Sequence, residues 1–353
     1  VETLKRTPGV YTNQDNGGYG DGQMYVRGFG FTNTAYVING QPVNDMENGR
    51  IYWSNWMGLI DLTSSVQIQR GLGSTSLAVP SAGGTVSVNT RAAEVDPGTG
   101  IKMAAGDNGY HKFTAFHNTG VNDLGWSSSF LLGFWRGDGW RNGMKGEGTT
   151  YAFSVGYTPR GGDHEFNFSL IGAGQWHHQA YYGTQLQDYL DYGPIQGDDY
   201  RKFNQLYGDY QGEEFSVLRN YYNKPLATFN WDWDISSNVT LATSLYGSAG
   251  RGGGTGLRGR GSYGVNPFRE SFAEYLDDHG EWRNSDTTIN WNVAVQKNAA
   301  GAYVPDSGAF AGMKLGYHNT IDGLPNKWGA DTTIRRFSTN SHNWLGGISK
   351  IKI

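Results

Sequence analysis

The chain has 353 residues, a formal net charge of −4, no cysteine, and a heavy load of glycine (54) and aromatic residues (12 Trp, 22 Tyr, 16 Phe). The lack of cysteine excludes a disulfide framework and thiolate metal sites. Without an excess of cations, nucleic acid is a poor candidate partner, since phosphate binding needs concentrated Lys and Arg. Mean hydropathy is −0.56 and no apolar run approaches the roughly 18 residues of a membrane helix, but a barrel strand of about 9 to 11 residues, half of them apolar, escapes that test.

Short β-branched or aromatic runs predict strands at Tyr25-Val26, Tyr36-Val37-Ile38 and Val66-Gln67-Ile68-Gln69, each soon closed by glycine or Asn-Gly. Asn39-Gly40 predicts a two-residue hairpin, because a primed turn needs positive φ at both central positions. Gly71, Gly73, Gly83 and Gly84 flank or punctuate a loop of glycine, serine and proline and let backbone pass where a side chain would clash. Four pieces follow one another: LKRTPGVY (4–11), MYVRGFG (24–30), TAYVINGQPVND (34–45) and LIDLTSSVQIQRGLGSTSLAVPSAGGTVSVNTR (59–91). Their order resembles the plug domain of TonB-dependent outer-membrane receptors, which has a PGV turn, an RGF strand end, a D/N-G-x-P hairpin and a closing segment with RG, GG and V-N-V/I-x-T/S. The matching positions are Pro8, Gly9, Val10, Arg27, Gly28, Phe29, Asn39, Gly40, Pro42, Arg70, Gly71, Gly83 and Gly84. Taken singly, the same pieces suit a small soluble α/β domain with glycine-rich turns.

From Gly98 the character changes. Alternating apolar and polar positions mark segments 101–106, 112–120, 126–136, 151–157, 165–176, 226–234, 239–248 and 344–353. Short turns at 121–125, 159–163 and 235–238 alternate with long polar stretches at 177–224 and 251–341, as expected of a barrel with short turns on one rim and long loops on the other. A soluble sandwich also alternates, and the connections distinguish the two. Trp135, Trp140, Tyr157, Trp176, Tyr181, Tyr182, Trp231 and Trp233 lie near predicted strand ends, where an interfacial girdle belongs. RGGGTGLRGR (251–260) lacks the Gly-Lys-Ser/Thr ending of a phosphate loop and reads as a solvated loop.

The expected fold is mainly β: a transmembrane antiparallel β-barrel with an N-terminal plug in its lumen, residues 1–97 forming the plug and 98–353 the N-terminal portion of the barrel. Family members close about 22 strands, so the resemblance implies a piece of a larger receptor, without the TonB box or the remaining strands. The stretch 220–256, with its N-Y-Y-x-K-P start and G-R-G-G-G end, resembles receptors of Bacteroidota in particular. The plug departs from the SusC-like glycan importers, with IQRGLGST and LAVPSAGG in place of their motifs, which argues against obligate pairing with a lipoprotein lid.

The resemblance implies active import of a scarce nutrient (siderophore, haem, cobalamin, oligosaccharide or peptide) across the outer membrane of a Gram-negative bacterium. The partners are TonB with its ExbB/ExbD energising complex, outer-membrane lipid, the nutrient itself and, in some relatives, a surface lipoprotein. The alternative is a plugged-barrel component of a secretion, adhesion or surface glycan-binding complex with no transport of its own. Arg27 and Arg70 match the plug arginines that meet barrel glutamates in the family, and otherwise read as solvent-facing strand ends. Segment 44–58 gathers Arg50, Tyr52, Trp53 and Trp56, rigid surfaces suited to substrate or, equally, to packing on the wall. No cofactor, metal ligand set or catalytic constellation is expected. The acidic loop 177–224 lacks EF-hand spacing, His177-His178 are adjacent on a strand and face opposite ways, and no nucleophile elbow occurs.

Overall fold

The computed structural model describes residues 4–14, 17–71, 81–180, 184–259, 283–300, 320–321, 324–325 and 333–353. Gly73, Tyr181, Tyr182 and the middle of 251–341 lie outside them. In the N-terminal domain β1 (Val10–Asn13) pairs antiparallel with β2 (Gln23–Val26). β3 (Thr34–Ile38), β4 (Gln41–Pro42), β5 (Ser65–Arg70) and β6 (Gly84–Asn89) form a sheet in the order β4-β3-β6-β5, with β3 and β6 parallel. All five residues of β3 are buried, as in a central strand covered on both faces. The turn after β3 has Asn39 at φ 50° and Gly40 at φ 85°, the primed geometry its sequence predicts, with Ile38 opposite Gln41.

The remaining strands are β7 (Gly98–Gly106), β8 (Tyr110–Asn118), β9 (Trp126–Gly137), β10 (Gly146–Tyr157) and β11 (His164–His178). After α1 (Leu186–Gln196) come β12 (Gly208–Tyr210), β13 (Glu213–Phe215), β14 (Arg219–Asn223), β15 (Leu226–Ser236) and β16 (Val239–Gly259). Last are β17 (Ile289–Asn290), α2 (Trp291–Ala300), the two-residue strands β18 (Thr320–Ile321) and β19 (Leu324–Pro325), and β20 (Thr333–Lys352). A nine-stranded antiparallel sheet takes β7 to β11, β14, β15, β16 and β20. β14 and β15 lie along the same edges of β11 and β16. They are one wall strand broken at Lys224-Pro225, where proline has no N–H for the ladder. The wall therefore meanders up and down, and each alternating segment of the sequence falls in one of its strands. No helix among the described residues is long and apolar enough to cross a membrane.

One wall face is buried through Asn167, Ser169, Ile171, Thr228 and Asn230, while Phe130, Leu132, Phe153, Phe168, Phe229 and Leu245 are exposed on the other. The pairs Phe130–Phe153, Phe168–Phe229 and Phe229–Leu245 stand directly opposite one another, making a continuous apolar belt. At the short-turn rim Trp126 stacks on Tyr157 (4.5 Å), Tyr157 on Phe166 (6.5 Å), Phe166 on Trp231 (6.4 Å) and Trp231 on Trp233 (5.9 Å). Trp135 does not join this girdle. Its odd separation from Trp126 turns it to the inner face, where it is 3% exposed and packs on Tyr19 at 4.7 Å.

Two further corrections concern the long connections. RGGGTGLRGR is no solvated loop: through Gly259 it continues β16, paired with β20 from Thr240↔Lys352 to Gly259↔Thr333. Its glycines hide the alternation and are needed, since a Cβ at Gly253 would strike the Ser338 carbonyl and one at Gly252 the Tyr222 ring. The acidic loop is also folded. β12, β13 and β17 form a small sheet over a second core of Leu206, Val217, Ile289 and Trp291. The buried Arg141, from the β9–β10 connection, donates through Nε to Phe203 O (2.6 Å). Its acidic residues have structural duties. Asp188 closes a capping box with Gln185, and hydrogen bonds from Arg201 hold the Asp199 carboxyl below its usual pKa.

The N-terminal domain packs on the inner wall face. Met24, Tyr36, Ile38, Val43, Ile51, Trp56, Leu59, Val86 and Val88 share one core with Leu131, Ala152, Ile171 and Leu226 of the wall. Burying one such side chain contributes about 1.5–3 kcal/mol, so domain and wall stabilise each other.

Candidate functional site: a polar chamber between domain and wall

The loop following β4 is built by its own polar residues. Asn44 accepts from Tyr36 N (2.8 Å) and donates to Thr34 O and Gly49 O (3.0 Å each). Asp45 Oδ1 accepts from Glu47 N (3.0 Å) and Asn48 N (3.2 Å), and Ser54 N donates to Asp21 (2.8 Å). This loop faces the long-loop ends of β14, β16 and β20 across a chamber of about 180 Å³. On the domain side it is lined by Asp21, Asp45, Glu47, Asn48, Tyr52 and Asn55; the wall contributes Asn220, Tyr222, Lys224, Asn340 and His342. A neighbouring cavity of about 190 Å³ shares Asp21 and Tyr52 and adds Arg50, Phe31, His177 and His178.

The four loop residues singled out by sequence therefore separate. Tyr52 and Arg50 border the polar cavities, and the Arg50 guanidinium lies 5.0 Å from the Phe31 ring centroid. Trp56 is 6% exposed within the shared core. Trp53 meets Tyr36 edge-on at 5.3 Å, and both tryptophans border an open cleft of about 410 Å³ with Leu4, Val66 and Val86. Burial pushes the Tyr19 and Tyr36 hydroxyls above the ordinary phenol range.

Below the chamber, polar ties among the described residues hold domain to wall. Asn39 bonds Ser169, and its carbonyl accepts from Asn230 (2.9 Å). Thr150 donates to Met57 O (2.7 Å), Lys112 pairs with Asp61, and Arg91 pairs with Asp232 (2.8 Å) and Glu165 (3.3 Å). Of these residues only Asn39 is among the matching motif positions, although Asp61 and Arg91 lie in the fourth plug piece (59–91).

The other motifs converge on a single junction. Arg27 N donates to Gly9 O (2.8 Å), and Arg70 donates to the Pro8 carbonyl (3.3 Å). Val10 N closes a turn onto Thr7 O (3.0 Å), and Gly71 N donates to Gly83 O (3.1 Å). Gly83 passes close to Phe29, and Gly84, at φ 139°, leaves no room for a Cβ beside Gln69 O. Gly28 has φ 80°, and Pro42 pairs with Val37 in the hairpin. Arg27 and Arg70 are exposed.

A family model described as TonB-dependent Receptor Plug Domain matches residues 1–85. Residues 1–85 are a TonB-dependent receptor plug domain. The chain is 24% identical over 129 residues to the vitamin B12 transporter BtuB of Vibrio vulnificus, covering 35% of this chain and 21% of that one. Among solved structures it is similar to the unliganded ferric citrate transporter FecA (TM-score 0.54, 19% identity, 72% of this chain and 37% of that one). It is likewise similar to the closed form of the ferric-catecholate import receptor Fiu from E. coli K12 (TM-score 0.54, 18% identity, 73% and 35%). At these identities the likeness concerns the fold: a plug seated against a partial antiparallel barrel. The chain spans about a fifth of the curated relative and little over a third of the solved ones.

Proposed function

We propose that this chain carries the plug (1–97) and the first barrel strands (98–353) of a receptor that imports a scarce nutrient across the outer membrane of a Gram-negative bacterium. TonB, energised by ExbB/ExbD, would supply the work. The observation that carries this reading is the plug sharing a hydrophobic core with the inner wall face beneath a polar chamber at the long-loop rim. The exposed belt and aromatic rim suit lipid outside, and the chamber suits a ligand entering from the cell exterior. The relatives' printed cargoes, vitamin B12, ferric citrate and ferric catecholate, lend support to a small-molecule nutrient. The Bacteroidota affiliation rests on the 220–256 stretch and on SHNWLGGISKIKI (341–353).

In this reading Arg27 and Arg70, exposed at the motif junction, meet carboxylates on wall strands beyond those described, through charge-assisted bonds. Arg27→Ala and Arg70→Ala should each loosen the plug and raise leakage of small antibiotics; unchanged leakage and unchanged melting in both would remove that role. The decisive experiment is uptake of labelled nutrients by cells expressing the native receptor, with and without TonB. Uptake that persists without TonB, or none with it, would sink the transport reading.

A further inference from the structure

Two buried ions of opposite charge face the chamber and do not meet. Lys224 is 5% exposed and Asp45 8%, and both line the same cavity. Among the described residues nothing accepts a hydrogen bond from Lys224 Nζ; its close neighbour is the face of Trp344, 3.6 Å from the ring centroid. Asp45 is near enough for its charge to bear on Lys224, yet the two form no ion pair, and its Oδ1 serves the turn N–H groups of Glu47 and Asn48. Taking an ammonium out of water costs several kcal/mol unless it is paired, and a ring face returns roughly 2 kcal/mol.

The wall is shaped to hold the lysine there. Gly250 leaves the space its stem occupies, since a Cβ would come within 3.2 Å of Lys224 Cγ. Pro225, immediately after, confines Lys224 to extended backbone. The ammonium is thus fixed on the wall side of the chamber and the carboxylate on the plug side, and amide groups such as Asn220 line the same chamber.

We propose that the chamber takes a zwitterion, an amino acid or short peptide with free termini, whose carboxylate meets Lys224 and whose ammonium meets Asp45. This rests on the transport reading for the site's role and names its substrate class. The carboxylates of Asp21, Asp45 and Glu47 outnumber the lysine and repel an anionic ferric chelate.

The test is calorimetric titration of the native detergent-purified receptor with glycine, diglycine and triglycine, then with N-acetylated and C-amidated forms of the best binder. Each blocked form should bind at least about thirtyfold more weakly, the low end of what leaving one buried charge unpaired costs. Lys224→Met should abolish discrimination against the amide, and Lys224→Arg should retain it. Asp45→Asn, which keeps the turn acceptor, should abolish discrimination against the acetylated form. Equal binding of free and blocked forms, no binding by any free form, or intact discrimination in the variants overturns the proposal. TonB-dependent uptake of a compound lacking either charge sinks it and leaves the transport reading standing. Peptide binding without TonB-dependent uptake does the reverse.

Discussion

Asn39 Nδ2 donates to Ser169 Oγ at 3.0 Å, so the residue that shapes the plug hairpin also fastens it to the barrel wall. The same amide donates to Thr90 Oγ1 (2.8 Å) and accepts from Thr90 N (2.8 Å). Ser169 in turn shares a hydrogen bond with Thr228 (2.6 Å). Asn39→Gly keeps the positive φ and loses the side-chain bonds; Asn39→Ala loses both. Glycine should cost about 2 kcal/mol through buried groups left unpaired, and alanine about 1 kcal/mol more through left-handed backbone. Urea unfolding followed by tryptophan fluorescence would rank the three proteins, and equal stability of the two variants would contradict the turn argument.

Much of this was legible in the sequence wherever a local rule governs. The Asn39-Gly40 turn, the core plug strands and the alternation of most wall strands follow from backbone φ and a two-residue period. What was not legible depends on which faces meet. Lys224 reads as an ordinary loop lysine before proline, and only the registers of β14 and β20 against β16 put it over Trp344. Arg91 directly follows Val88-Asn89-Thr90, the end of the closing plug segment, with nothing to signal that Glu165 and Asp232 stand opposite each other. Glycine in β16 erases the alternation just where the strand continues, and polarity disguises the folded connections, whose core residues are scattered over distant segments.

Gly58 lies at a close approach of plug and wall. Its φ is 81°, and a Cβ would strike the side chain of Thr150. Gly58→Ala should destabilise by about 2–4 kcal/mol, from left-handed strain and overpacking together. Gly58→Ala with Thr150→Ala should recover the overpacking share, less the lost hydrogen bond to Met57 O. A double variant no more stable than the single one would place the whole cost in the backbone.

The folded connections predict a proteolytic pattern. Trp291 is 6% exposed in the second core and meets Phe215 edge-on at 5.3 Å. Trp291→Ala should remove about 3 kcal/mol from this unit, enough to populate local opening while the wall stays intact. Trypsin should then cut sooner at Arg201 and Lys202, in the turn held by Asp199. Unchanged cleavage would mean that this core does not hold the connection down.

Arg91 separates two like charges. Glu165 and Asp232 are direct cross-strand partners on β11 and β15, an arrangement that destabilises a sheet, and the Arg91 guanidinium reaches both. All three side chains keep a fifth to a third of their surface exposed, so the triad is worth about 1 kcal/mol rather than the several of a fully buried network. Arg91→Ala leaves the carboxylates facing each other with no cation between them. Asp232→Asn in the same protein removes the repulsion, so the double variant should be more stable than Arg91→Ala alone, a sign that simple loss of contacts does not produce. Because the groups are partly solvated, molar salt should shrink the gap between parent and Arg91→Ala. A gap insensitive to both salt and the second substitution would assign the role of Arg91 to packing of its stem.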